Sequence, residues 1–252
     1  MAEPLLELRS VHKAFGGVQA LVDVDLTVRA GEVVGLVGDN AAGKSTLARI
    51  VAGVYQPDAG QVRLAGRPVA IASAKAAIAL GIATVFQEFA LVESLDVPSN
   101  IFLGRELTRS DGLLDESGME LLARQYLDQL SSRIPDLSVP LHQLSAGQRQ
   151  CVAIARTLVT DPRLVILDEP PASLSVGQTA EVLSHVERLR ELNLGVILIS
   201  HNLADVRSVA DRIEVLRHGR NNGSFAVDEA TYENVLSAIT GATRHTKPAA
   251  GL

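Results

Sequence analysis

The sequence predicts an α/β fold built on a mostly parallel sheet. Three observations carry that expectation. Residues 32–37, 164–167 and 196–199 are short and almost wholly apolar, the pattern of strands buried on both faces. Helical periodicity lies between them: Leu47, Ile50, Val51 and Val54 share one face, as do Cys151, Ile154, Ala155 and Leu158. A glycine-rich segment, Gly38 to Thr46, links the first of those strands to the first of those helices. Strands alternating with helices argue for parallel pairing.

Other elements are legible in chain order. Val22, Val24, Leu26 and Val28 alternate with Asp23, Asp25, Thr27 and Arg29. This period of two predicts a half-exposed strand, antiparallel to one around residues 5–11, and so an N-terminal antiparallel β region. Residues 88–144 differ in character, being polar and interrupted by Pro98, Gly104, Gly112, Gly118, Pro135 and Pro140. They are read as a helical subdomain inserted between two sheet strands. Residues 213–216 and 224–227, joined through His218 and Gly219, predict a closing hairpin. A single domain over 1–241 is expected, with a flexible tail of small and polar residues over 242–252.

Composition narrows the function. With 47% apolar but only 3% aromatic residues, the core of this 252-residue chain must be built from Leu, Val, Ile and Ala. A net charge of −6 and the lack of any Lys/Arg cluster argue against nucleic acid as a partner. The single cysteine, Cys151, leaves no internal disulfide framework and suits a reducing compartment. No leader-like N-terminus and no apolar run of about 20 residues is seen, so a soluble cytoplasmic protein is expected.

Gly38-Asp39-Asn40-Ala41-Ala42-Gly43-Lys44-Ser45-Thr46 matches G-x4-G-K-[ST] after a strand and before a helix, where a phosphate-binding loop must sit. Backbone N–H groups and the positive helix end would surround the phosphates of ATP. Lys44 would reach the β- and γ-phosphates, and the Ser45 hydroxyl would ligate Mg2+. The strand at 164–167 runs into Asp168 and Glu169. Carboxylates at a buried strand end are costly unless they meet a cation or donors. Asp168 is therefore expected at the magnesium ion, and Glu169 as the base that polarises the attacking water. His201 ends the next apolar strand at the same edge and joins the candidate site.

Leu144-Ser145-Ala146-Gly147-Gln148-Arg149-Gln150 is locally a helix start, with Ser145 and Gln148 at capping-box spacing. The segment also resembles the LSGGQ signature of ATP-binding cassette (ABC) ATPases, and the chain follows that family's order from about residue 5 to 240. The resemblance implies an ABC-type phosphate-loop NTPase core, with the signature helix at 145–159. It places Phe15 against adenine and Gln87 as the glutamine that senses the γ-phosphate, contributes to the metal site and faces a transporter. Asp168-Glu169-Pro170 resembles the Walker B segment, Ala172-Ser173-Leu174-Ser175 the D-loop, and His201 the switch histidine. It further implies a homodimer or paired cassettes, with Ser145, Gly147 and Gln148 of one contacting ATP held by the other. The stretches Gln87-Glu88, Asn100-Ile101-Phe102-Leu103-Gly104-Arg105-Glu106, Gly112-Leu113-Leu114-Asp115 and Ile199-Ser200-His201-Asn202-Leu203 resemble the ATPases of bacterial monosaccharide importers. Partners so implied are a transmembrane sugar permease and, indirectly, a periplasmic sugar-binding protein, which would hold the chain on the inner membrane face.

Three residues depart from the pattern: Ala41 and Ala146 stand where glycine is usual, and Pro171 replaces a threonine. A side chain at positive φ costs on the order of 1 kcal/mol. Two further readings stay open at this point. One is a nucleotide-gated dimerisation module with little hydrolysis, and the other is an ABC ATPase outside transport.

Overall fold

The computed structural model describes residues 3–86, 90–170 and 174–242. The chain begins with a long hairpin, β1 (Leu6–Phe15) and β2 (Val18–Val28), paired antiparallel. With β4 (Ala59–Leu64) and β5 (Arg67–Val69) they form a four-stranded antiparallel sheet in the order β2-β1-β4-β5. The predicted alternation holds, since Val24, Leu26 and Val28 are buried while Asp23 is exposed and Thr27 half-buried.

The second sheet has the order β10-β9-β3-β8-β7-β6. Its strands are β3 (Val33–Val37), β6 (Ile82–Val85), β7 (Leu164–Asp168), β8 (Gly195–Ile199), β9 (Arg212–Arg217) and β10 (Arg220–Ala226). The pairs β9-β3, β3-β8, β8-β7 and β7-β6 are parallel, and only β10 runs antiparallel, as the edge partner of β9. The expected closing hairpin is therefore present. Alternate residues of each central strand enter two separate cores. Val33, Val165, Leu167, Val196 and Leu198 belong to one, and Val34, Leu36, Ile166, Ile197 and Ile199 to the other. With both faces covered, these strands have no polar side to alternate with.

Helices connect and cover the strands. They are α1 (Lys44–Val51), α2 (Ala74–Ala79), α3 (Val97–Ile101), α4 (Glu116–Gln129), α5 (Ala146–Leu158), α6 (Val176–Glu191), α7 (Leu203–Val209) and α8 (Tyr232–Thr240). The segment between β6 and α5 holds α3, α4 and a 3-10 turn at Leu141–Gln143. Cys151, Ile154, Ala155 and Leu158 are buried on α5, as their periodicity predicts.

The α1 face needs one correction. Leu47, Ile50 and Val51 are buried, but Val54 lies beyond the helix and is 49% exposed. The helix ends because Gly53 turns to φ 74°, where a Cβ would meet the Ser73 carbonyl oxygen, and the Val54 N–H folds back to the Arg49 carbonyl. Among the described residues no helix is long and apolar enough to cross a membrane.

Candidate functional site

The parallel register sets three strand ends side by side. Leu36 pairs with Ile199 and Asp168 with Ile199, so the carboxyl ends of β3, β8 and β7 meet at one edge. In such sheets ligands bind outside the carboxyl ends of the strands. Here β3 runs into the phosphate loop, β7 ends in Asp168 with Glu169 after it, and β8 leads into Ser200 and His201.

The loop is held from within. Ala42 donates to the Asp39 carbonyl at 3.1 Å, and Ala42 in turn accepts from the Gly219 N–H at 3.0 Å. Gly43 has φ 103°, and a Cβ there would fall 2.7 Å from Leu21 Cδ2 and 2.8 Å from the Ala20 carbonyl of β2. Only glycine fits this approach of loop to strand. Gly43 is also the N-cap of α1 and offers no side chain to the helix end, whose first turn carries no acidic residue. The leading N–H groups of α1 stay open to an anion, with the helix dipole behind them.

Lys44 is folded over the loop, its Nζ donating to the Gly38 carbonyl at 2.9 Å and the Asp39 carbonyl at 3.0 Å. Burial lowers its pKa, against the opposing pull of the Glu169, Asp168 and Asp39 carboxylates. Asn40 and Ala41 are exposed, while Ser45 and Thr46 are half-buried. The departures at Ala41 and Ala146 resolve differently. Ala41 has φ 62° and does occupy the left-handed region, whereas Ala146 opens α5 as an ordinary helical residue.

Asp168 is 6% exposed and its Oδ1 has no hydrogen-bond partner. Burial, reinforced by Glu169, raises its pKa, while Arg49 and Lys44 pull the other way. A buried carboxylate oxygen without a donor, beside a phosphate loop, suits a divalent cation, so the residues present fit the magnesium site expected of Ser45 and Asp168. Glu169 sits at φ 53°, a strained position for a non-glycine residue. It is held there by its own N–H, which bonds the Ile199 carbonyl at 2.9 Å. His201 reaches toward it, Nδ1 to Oε1 at 3.7 Å, from a largely exposed position. The histidine stands on a short scaffold. Ser200 Oγ accepts from the Asn202 N–H at 3.0 Å, and Asn202 caps α7 through the Ala204 N–H. Gly38, Asp39, Asn40, His201, Asn202 and Tyr232 line a cleft of about 640 Å³ at this edge.

Phe15 ends β1 and is 42% exposed. Its ring meets Tyr55 edge-on at 5.0 Å, and Lys13 Nζ lies 5.5 Å from its centre. Arg49 of α1 covers Tyr55 in turn at 5.9 Å. Sequence reasoning missed this buttress, because Tyr55 and Arg49 become neighbours of Phe15 only when α1 packs under the hairpin. An exposed, braced ring at the end of β1 is a surface for stacking.

Ser145, Gly147 and Gln148 are not brought to this edge. Ser145 caps α5, its Oγ accepting from Gln148 N–H at 3.2 Å while its own N–H donates to Gln148 Oε1 at 3.0 Å. The principal neighbours of α5 are α3, α4, α6 and β6, and α1 is not among them. Gly147 instead faces α6, where Glu181 Oε2 lies 2.9 Å from the place a Cβ would take. The expectations for Gln87 and Glu88, and for Pro171, Ala172 and Ser173, lie outside the described residues.

Comparison with known proteins agrees with this geometry. A family model described as ABC transporter matches residues 21–172. The chain is 42% identical over 236 residues to a xylose/arabinose import ATP-binding protein of Sulfolobus acidocaldarius, covering 94% of each. It is 44% identical to a ribose import ATP-binding protein of Rubrobacter xylanophilus over 94% of this chain, but spans only 47% of that relative. A crystal structure of a nucleotide-free ATP-binding cassette from an ABC transporter superposes with a TM-score of 0.80 at 25% identity, over 93% of this chain and 95% of that one. Glycine-rich loop, paired carboxylates and capped α5 thus occur in one chain for a reason of descent: it belongs to the ABC transporter family, as an ATP-binding cassette of the ATPase kind.

Proposed function

We propose that the chain is the ATP-hydrolysing subunit of an importer for a simple sugar, working through a membrane permease. The observation that carries the reading is the meeting of Lys44, Asp168, Glu169 and His201 at the ends of three adjacent strands. The import function named for the relatives supplies the cargo class. Phe15 stacks on adenine, residues 38–46 wrap the phosphates, and Lys44 exchanges its bonds to the loop carbonyls for phosphate oxygens. Magnesium, when bound, neutralises phosphate charge, and Ser45 and Asp168 are the residues that would hold it, with Gln87 contributing. Water attacks the γ-phosphorus and passes its proton to the Glu169 carboxylate, while ADP departs. His201 orients that carboxylate and the γ-phosphate.

The position of Ser145 supports a site shared between two copies. A capped, uncharged helix start, exposed and remote from its own phosphate loop, can receive an anion from outside the chain. Two copies arranged head to tail would place it on the other's nucleotide, and docking to a permease would hold the pair at the inner membrane face. The test is reconstitution with a sugar permease and its sugar-binding protein. Sugar uptake that depends on ATP and on Glu169 is expected. ATP binding with no turnover, permease present, would replace this reading with a nucleotide-gated dimerisation module.

A further inference from the structure

A second cluster of polar side chains lies where α4, α5 and α6 meet, on elements that do not line the nucleotide cleft. Gln150 of α5 is fully buried, His185 of α6 is 1% exposed and Ser132, just past α4, is 5% exposed. His185 Nδ1 lies 2.8 Å from the Leu130 carbonyl, at the C-terminal cap of α4. A carbonyl only accepts, so Nδ1 carries the ring proton and Nε2 is left as a bare acceptor. That Nε2 is buried without a partner, and so are both polar atoms of the Gln150 amide, while Ser132 Oγ has only the Cys151 thiol beside it.

These atoms share one locality. The Cys151 thiol lies beside the Ser132 hydroxyl, and the Glu181 carboxylate acts on both Cys151 and His185. Glu181 also covers Gly147, and Gln150 follows Gly147 by three residues, within about 60° of it around the α5 axis. Among the described residues Glu181 is the charged group that acts on His185, and burial lowers the imidazole pKa. A neutral ring, an amide and a hydroxyl offer both donors and acceptors, which is the lining a buried water requires and an apolar ligand does not. Asp168 Oδ1 is the one other buried side-chain atom without a partner among the described residues, and it belongs to the nucleotide site.

We infer that ordered water sits between Gln150, His185 and Ser132, and that the hydrated joint positions the signature helix so that Ser145 meets the nucleotide of a second copy. The water site stands on the unpartnered atoms alone, and the positioning role rests on the proposed sharing of sites between two copies. His185 is well placed for it. It joins α6, which starts at the Ser175 cap, to the end of α4, while Gln150 carries the link into α5. None of the three would touch ATP, so they are positioning residues.

A crystal structure of the full chain that shows ordered solvent tests the first half. At least one water bonded to His185 Nε2 or to the Gln150 amide is expected, and empty density at all four atoms overturns the site. For the second half, Gln150→Met and His185→Leu keep volume while removing the polar links. Turnover should fall about 10- to 100-fold, the scale of a misplaced contact, with monomer affinity for ATP and KM close to wild type. His185→Gln, which keeps a donor for Leu130 and an acceptor for water, should recover much of the loss. Wild-type turnover in Gln150→Met and His185→Leu overturns the positioning role. If those two fail to fold, His185→Gln and the wild-type density decide. A Ser145→Arg protein with wild-type turnover would instead remove the shared-site reading and leave the water site to the density.

Discussion

The His201 imidazole and the Glu169 carboxylate face each other across the ends of two parallel strands, Nδ1 to Oε1 at 3.7 Å. The gap is wider than a hydrogen bond, so the pair is poised to share a third group. If Glu169 takes a proton from water, Glu169→Gln should leave ATP binding intact and slow turnover about 10²–10⁴-fold. Loss of the negative charge near the γ-phosphate should also let the substituted protein run as an ATP-dependent dimer on size exclusion, where the wild type runs mainly as monomer. Steady-state turnover with ATP and magnesium is the measurement. A wild-type rate would remove Glu169 from the chemistry.

Ser145→Arg puts a bulky cation at the exposed start of α5, which lies away from the phosphate loop of its own chain. Monomeric ATP affinity should be nearly unchanged and turnover suppressed. Lys44→Ala chains should fail for the opposite reason, having lost the cation that the loop encloses. Mixing the two gives some dimers in which one intact signature meets one intact loop, so partial activity should return. No recovery from demonstrated mixed dimers would count against a shared site.

Ala41 occupies the left-handed region at φ 62° on an exposed stretch of the loop. A Cβ there costs on the order of 1 kcal/mol relative to glycine, offset in part by the greater freedom of glycine in the unfolded chain. Ala41→Gly should therefore hold or slightly raise the melting temperature and leave ATP turnover at least as fast. A clear loss of stability would show that the methyl group packs favourably.

Asp168→Asn should separate stability from function. Burial and Glu169 raise the Asp168 pKa above its unfolded value, so the folded state binds that proton more tightly. Its ionisation works against folding: the penalty begins as pH rises through the unfolded value and is complete above the folded one. Asparagine removes the penalty, so the nucleotide-free variant should melt a few degrees higher than wild type at neutral pH. The difference should shrink as the pH falls toward about 4. Magnesium-dependent turnover should be lost. Melting curves across that range decide, and a variant less stable at neutral pH would contradict the account.

Some of this molecule could be read directly from residue order. The apolar runs at β3, β7 and β8 announce strands covered on both sides, because a strand with no polar face has nowhere else to go. The alternation of β2 gave its half-exposed pairing with β1, and the Ser145 and Gln148 spacing gave the cap of α5. The phosphate loop was legible because its chemistry requires fixed residue types at fixed spacing. By contrast, β6 is four residues long, too short for a periodic signal, and Val54 continued a helical pattern that the backbone abandons at Gly53.

Local pattern could not say whether Ala41 or Ala146 carries strain, since that depends on the path the chain is forced to take. Tertiary packing decided it: Ala41 is pinned in a loop closed by Gly219, and Ala146 enters a helix. Packing also set Tyr55 and Arg49 under Phe15, left Asp168 Oδ1 bare, and buried the Gln150 amide and His185 Nε2 without partners. The residue types that can bind phosphate, hold a cation or move a proton were thus determined by the sequence. Which of their atoms end up buried without a partner was decided by contacts between segments far apart in the chain, and no local periodicity records those contacts.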